Sequence, residues 1–79
     1  MRITELAKRA GTTTDRVRYL ERKGYVESRR LKLKERAVRD YSDAAVRLVE
    51  LISGFLEEGF TYEAAHRKAI EELDKPRLL

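Results

Sequence analysis

Two short helical stripes meet at one glycine. Ile3, Leu6, Ala7 and Ala10 recur at i, i+3, i+4 and i+7, which is one face of a helix, with Thr4 the expected N-cap. Gly11 stops that helix, because a glycine past the last turn takes φ > 0 without a Cβ clash. Thr12-Thr13-Thr14 follows, and Thr13 is the preferred cap of a second helix with Asp15 and Arg16 in its first turn. Asp15 suits the positive end of that helix's dipole. Val17 and Leu20 then face inward, and Gly24 ends the helix after Lys23. Two short helices joined by a glycine and a few polar residues make a helix-turn-helix.

Tyr25-Val26 tucks under the core. From Arg29 to Tyr41 the period shortens, with Leu31, Leu33 and Val38 roughly alternating among charges. Lys34-Glu35-Arg36 is the expected turn of a β-hairpin, although it lacks an Asn-Gly signal. Ser42-Asp43 starts a third helix, whose stripe is Val46, Val49, Ile52, Phe55 and Leu56 and which runs to Glu58. Gly59 ends it, Phe60 packs, and Thr61 caps a fourth helix to about Leu73. Pro76 prevents continuation nearby, so Arg77-Leu78-Leu79 is expected to fray. The expected fold is mainly α: a winged helix-turn-helix with a two-stranded β-hairpin wing and two further C-terminal helices. One domain is expected over residues 1–75, with a short tail at 76–79.

Charge is distributed unevenly over this plan. The chain of 79 residues carries a net charge of +4. Residues 16–39 hold ten of the eighteen Lys and Arg residues against three acids, a surplus of seven. The other residues are mildly acidic. The surplus lies on the second helix and the hairpin, the elements able to reach a nucleic acid backbone. There is no cysteine, so disulfides and thiolate metal sites are excluded. No run approaches the length of a membrane span, and Met1-Arg2-Ile3-Thr4 leads into an amphipathic pattern rather than a signal peptide. A cytoplasmic, nucleoid-associated protein is expected.

Three stretches resemble the DNA-binding domain of the MerR family. Ile3-Thr4-Glu5-Leu6-Ala7, then Gly11 through Glu21 with Arg18-Tyr19-Leu20, then Gly24-Tyr25-Val26, is similar to its "I-x-E-L-A…G-V-S-x-x-T-I-R-Y-Y-E…G-L-L". Arg39-Asp40-Tyr41-Ser42 is similar to "R-x-Y-S" where the wing ends, and Gly59-Phe60-Thr61-Tyr62-Glu63 to "G-F-S-L-E". The resemblance spans residues 3 to about 70. It departs at Leu20, which stands where the family has a second aromatic, and in a wing about three residues longer than usual. The chain also stops where relatives continue into a dimerising helix and an effector domain. What remains resembles the small effector-less members, including developmental regulators and excisionases.

A recognition helix usually enters the major groove N-terminus first, which points to Thr13, Thr14, Asp15 and Arg16. Arg16 is the choice for a base contact, since a guanidinium bonds guanine O6 and N7 together. Asp15 either caps the helix or accepts from cytosine N4. The resemblance implies backbone contacts by Arg18 and Tyr19. The alternatives are an ion pair of Arg18 with Glu21 or Glu5, and packing of Tyr19 on the wing. Arg22 is a phosphate contact or a favourable charge at the helix C-terminus. In the wing, Arg30, Lys32, Lys34 and Arg36 are the expected phosphate or minor-groove contacts, beyond what protection of an edge strand requires. The resemblance implies a backbone contact at Arg39 as well. Glu21 reads as an internal partner for a basic residue.

Catalysis and metal binding are not expected. His66 is the only histidine, and Glu57-Glu58 and Glu71-Glu72 sit on helices without a pocket to converge on. No cofactor and no small-molecule effector are expected. The expected partner is double-stranded DNA, bound by a monomer or with weak self-association on DNA. The leading function is a sequence-specific transcription regulator. The alternatives are an architectural factor of the excisionase type, a protein-interaction module that kept the fold, and a piece of a longer regulator.

Overall fold

The computed structural model describes residues 1–75; the expected tail lies outside the described residues. The element order is α1 (Ile3–Ala10), α2 (Thr14–Arg22), β1 (Arg29–Leu33), β2 (Arg36–Asp40), α3 (Asp43–Glu57) and α4 (Tyr62–Asp74). This is the winged helix-turn-helix expected from the glycine punctuation and the change of period. α1 packs on both α2 and α3, and α3 packs on α4.

The predicted stripes supply much of the core, but Ile3, Val46, Phe55 and Leu56 of those stripes are only half-buried, and Ala45, Ala65 and Ala69, outside any expected stripe, join it. Leu6, Ala7 and Ala10 of α1 meet Val17 and Leu20 of α2, Ala45, Val49 and Ile52 of α3, and Ala65 and Ala69 of α4, all buried. Val26 and Tyr41 close it from the two ends of the hairpin. Small side chains on α4 let that helix approach α3 closely. Phe55 and Phe60 are half-buried beside this core and meet edge to face, 5.7 Å apart.

Local signals explain most boundaries. Gly11 takes φ 73 and donates its N–H back to the carbonyl of Lys8, and Thr12 donates to Ala7. Thr13 caps α2 by accepting from the Arg16 N–H at 3.2 Å, and Thr61 caps α4 in the same way from Ala64. Thr4, however, is not the cap of α1. The helix starts at Ile3, with Arg2 in the cap position and no side-chain cap bond. The cause is a long-range tie: Met1 exchanges two backbone hydrogen bonds with Tyr41, each 2.8 Å, and its ammonium meets Asp40 at 2.7 Å. That tie fixes the chain direction before Thr4 is reached. Ser42 stands at the cap position of α3 without making a side-chain cap bond.

The wing is an antiparallel ribbon in which Leu31 opposes Val38 and Leu33 opposes Arg36. Its turn is Lys34-Glu35, so Arg36 already belongs to β2. Without Asn-Gly, Lys34 itself takes φ 53, a conformation that costs an L residue about 1 kcal/mol. Alternation places Arg30, Lys32, Ala37 and Arg39 on one face of the ribbon and Leu31, Leu33, Arg36 and Val38 on the other. Leu31 and Val38 are half-buried, whereas Leu33 extends past the body of the domain and is 48% exposed.

Candidate nucleic-acid interface

α2 buries Val17 and Leu20, and this decides where its other side chains go. Asp15, Arg18 and Arg22, spaced i, i+3, i+7, form its exposed stripe. Thr13, spent partly on capping, is exposed at its start, and Thr14 is half-buried. Arg16 lies off this stripe, on the flank toward α3, where its guanidinium is 3.5 Å from Glu57 and 30% exposed.

Within the stripe, Arg18 pairs with Asp15 at 3.3 Å, one turn back, rather than with Glu21 or Glu5. Both groups are largely exposed, so the pair is weak and open to exchange. Tyr19 does not pack on the wing. Its ring meets Tyr62 of α4 at 4.5 Å, and the charged ends of Arg22 and Lys23 stand 5.9 and 5.7 Å from its centre. Tyr62 was legible only as an aromatic of the core; its use as a platform for Tyr19 depends on how α4 crosses α2.

The wing is held to α2 through one carboxylate. Glu21 accepts from the Ser28 hydroxyl just before β1, from the Tyr41 hydroxyl just after β2 at 2.7 Å, and from Arg39 of β2 at 3.0 Å. Burial pushes the Glu21 carboxyl up, but the hydroxyls of Ser28 and Tyr41 and the charge of Arg39 outweigh it and hold it below its ordinary value. Burial and the bond to Glu21 push the Tyr41 phenol up to about 12. Glu21 thus is the internal partner expected, and it engages both ends of the hairpin. At those ends Asp40 is held low, first by its hydrogen bond to the Met1 ammonium and further by Arg29 and Arg2 nearby.

The cations of the basic segment fall into two groups. Arg16, Arg18, Arg29 and Arg39 each have a carboxylate partner. Arg22, Lys23, Arg30, Lys32, Lys34 and Arg36 are exposed and form no ion pair among the described residues. Arg2 is exposed and lacks an ion pair as well, and sequence reasoning passed over it. The tie between Met1 and the end of β2 brings it into a cleft between α2 and the wing, beside Arg18 and Arg39. The family model described as MerR HTH family regulatory protein matches residues 1–71.

The chain belongs to the MerR helix-turn-helix family. No curated protein matches it. The MerR helix-turn-helix is a DNA-binding domain of transcription regulators, and the winged fold seen here is consistent with that assignment. No helix among the described residues is long and apolar enough to cross a membrane. In this MerR domain α2 with its cap residue Lys23, and the wing, carry six of the ten cations that form no ion pair among the described residues; the others are Arg2, Lys8, Arg67 and Lys68. Its acidic side chains on α3 and α4 lie mostly elsewhere, with Glu57 the exception that reaches Arg16.

Proposed function

We propose that this protein is a sequence-specific regulator of transcription that seats α2 in the major groove of double-stranded DNA and lays its wing on the flanking backbone or minor groove. The observation that carries the reading is the set of exposed, unpaired cations on the wing: Arg30, Lys32, Lys34 and Arg36. Four like charges on a ribbon of ten paired residues and its two-residue turn repel one another, and a polyanion relieves that repulsion. Thr13, Thr14, Asp15 and Arg16 stand at the leading end of α2. Arg18, Tyr19 and Arg22 follow toward the backbone, and Arg39 stands where the wing joins α2. In this reading Arg16 reaches a base by leaving Glu57, an exposed carboxylate that restrains it weakly. Arg39 acts first through Glu21, orienting the wing. The chain binds as a monomer or with weak self-association on DNA, and needs no small-molecule effector.

Selection of bound sequences from random duplexes tests this, with Arg16→Ala as the comparison. A defined motif for the parent protein, with preference lost at one or two positions in Arg16→Ala, is the expected result. An unchanged motif removes Arg16 from base readout. No enriched motif, with cooperative spreading in footprints, favours the architectural reading instead.

A further inference from the structure

Two shallow depressions adjoin along the β2 edge of the wing, and Arg2 belongs to both. One is lined by Arg2 with Arg18 and Arg39, the other by Arg2 with Leu33, Lys34 and Arg36 at the wing tip. They make one track from α2 to the tip of the hairpin. Its rim carries the cationic groups of Arg2, Arg18, Lys34, Arg36 and Arg39 and the carboxylate of Glu35, with Arg18 and Arg39 already paired to Asp15 and Glu21, and at its far end Leu33 leaves nearly half of its surface in water. Leu33 is thus the one large apolar side chain of the hairpin that is exposed, since Leu31 and Val38 are both half-buried.

We infer that this track holds one strand of duplex DNA beside the major-groove site, with Arg2 on a phosphate and Leu33 against the deoxyribose at the wing tip. The inference rests on the proposed function and adds two contacts to it. The occupant follows from the chemistry of the track. Alternating anionic and apolar groups are what a sugar–phosphate strand presents, and apolar side chains are used against DNA in minor-groove contacts elsewhere. Arg2 is ordered for this role by its neighbour Met1, whose backbone pairs with Tyr41.

The two contacts differ in salt dependence, and that separates them. A phosphate contact releases counterions, whereas an apolar contact does not. Binding of a duplex carrying the selected motif is measured by fluorescence anisotropy over a range of salt concentrations. Arg2→Gln is expected to make the slope of log K against log salt shallower by about one. Leu33→Ser is expected to weaken binding by roughly fivefold at every salt concentration and to leave the slope unchanged. Leu73→Ser and Arg67→Gln, exposed on α4 away from the track, bind as the parent does. Both test residues are at the surface, and a thermal melt on each variant confirms an intact fold. If the parent binds and both test variants match it, the track is overturned while DNA binding stands. If the parent itself fails to bind duplex at low salt, the proposed function falls and takes this inference with it.

Discussion

Replacing Glu21 by alanine removes one carboxylate and disturbs three partners at once. Tyr41 is 1% exposed, and Glu21 accepts the hydrogen bond of its hydroxyl. Leaving that buried donor unsatisfied costs about 2 kcal/mol. Arg39 is 56% exposed, so solvent screens its pair with Glu21 and the pair adds no more than about 1 kcal/mol. Ser28 is half-buried and can turn toward water, so its loss adds little. The sum is about 3 kcal/mol, equivalent in a domain of this size to a fall in Tm on the order of 15 °C. Glu21→Gln keeps an acceptor for one hydroxyl and is expected to lose about half as much. Circular dichroism melts at neutral pH measure both. Acid supplies an independent check. The folded Glu21 titrates below its ordinary 4.5, so its stabilisation is fully present above that value and is lost as pH falls through the depressed one. The gap between parent and Glu21→Ala therefore narrows on acidification. A Glu21→Ala protein melting within about 3 °C of the parent, or a gap that stays constant as carboxylates protonate, would refute the reasoning.

Three further outcomes are expected. Lys34→Asn relieves a left-handed lysine in the hairpin turn and should raise stability by about 0.5 kcal/mol, while taking about one from the salt slope of DNA binding; urea titration and anisotropy read the two effects separately. Ser53 is buried with a hydroxyl that has no hydrogen-bond partner among the described residues, so Ser53→Ala should be neutral or stabilising by up to about 1 kcal/mol, and a clear loss in urea unfolding would show a partner in solution. Ile52→Ala empties a site with no solvent exposure and should cost about 3 kcal/mol, enough to lower the urea midpoint sharply.

Much of this fold was written in local signals. Gly11 and Thr13 act within four residues of themselves, so the turn between α1 and α2 was readable from a short stretch. The stripes of α1 and α3 were readable because burial follows the helical period, and Leu6, Val49 and Ile52 are fully buried as that period requires. What escaped depends on residues far apart in the chain. Thr4 failed as a cap because Met1 is tied to Tyr41, forty positions away. Tyr19 lies on Tyr62 and not on the wing because the crossing of α4 over α2 has no local signature. Arg18 took Asp15 as its partner because Glu21 was already held by Ser28, Tyr41 and Arg39. Arg2 went unnoticed for the same reason as Thr4: only the folded arrangement brings the start of the chain beside the wing. In the wing, exposure of Arg30 and Lys32 follows from alternation along the strand, whereas Arg36 shares the face of Leu31, Leu33 and Val38 and Lys34 lies in the turn, so their exposure depends on the register and on how far the ribbon projects.

The central claim is that duplex DNA binds across α2 and the cationic wing. Its most direct test is the salt dependence of binding for the parent and for the triple variant Arg30→Glu, Lys32→Glu, Arg36→Glu, in which every change is at an exposed, unpaired position. The parent is predicted to show a slope of log K against log salt near about −5, from about six phosphate contacts, and the variant to lose binding at moderate salt. A charge-reversed wing that holds the same duplex as tightly as the parent, with the same slope, would contradict the account.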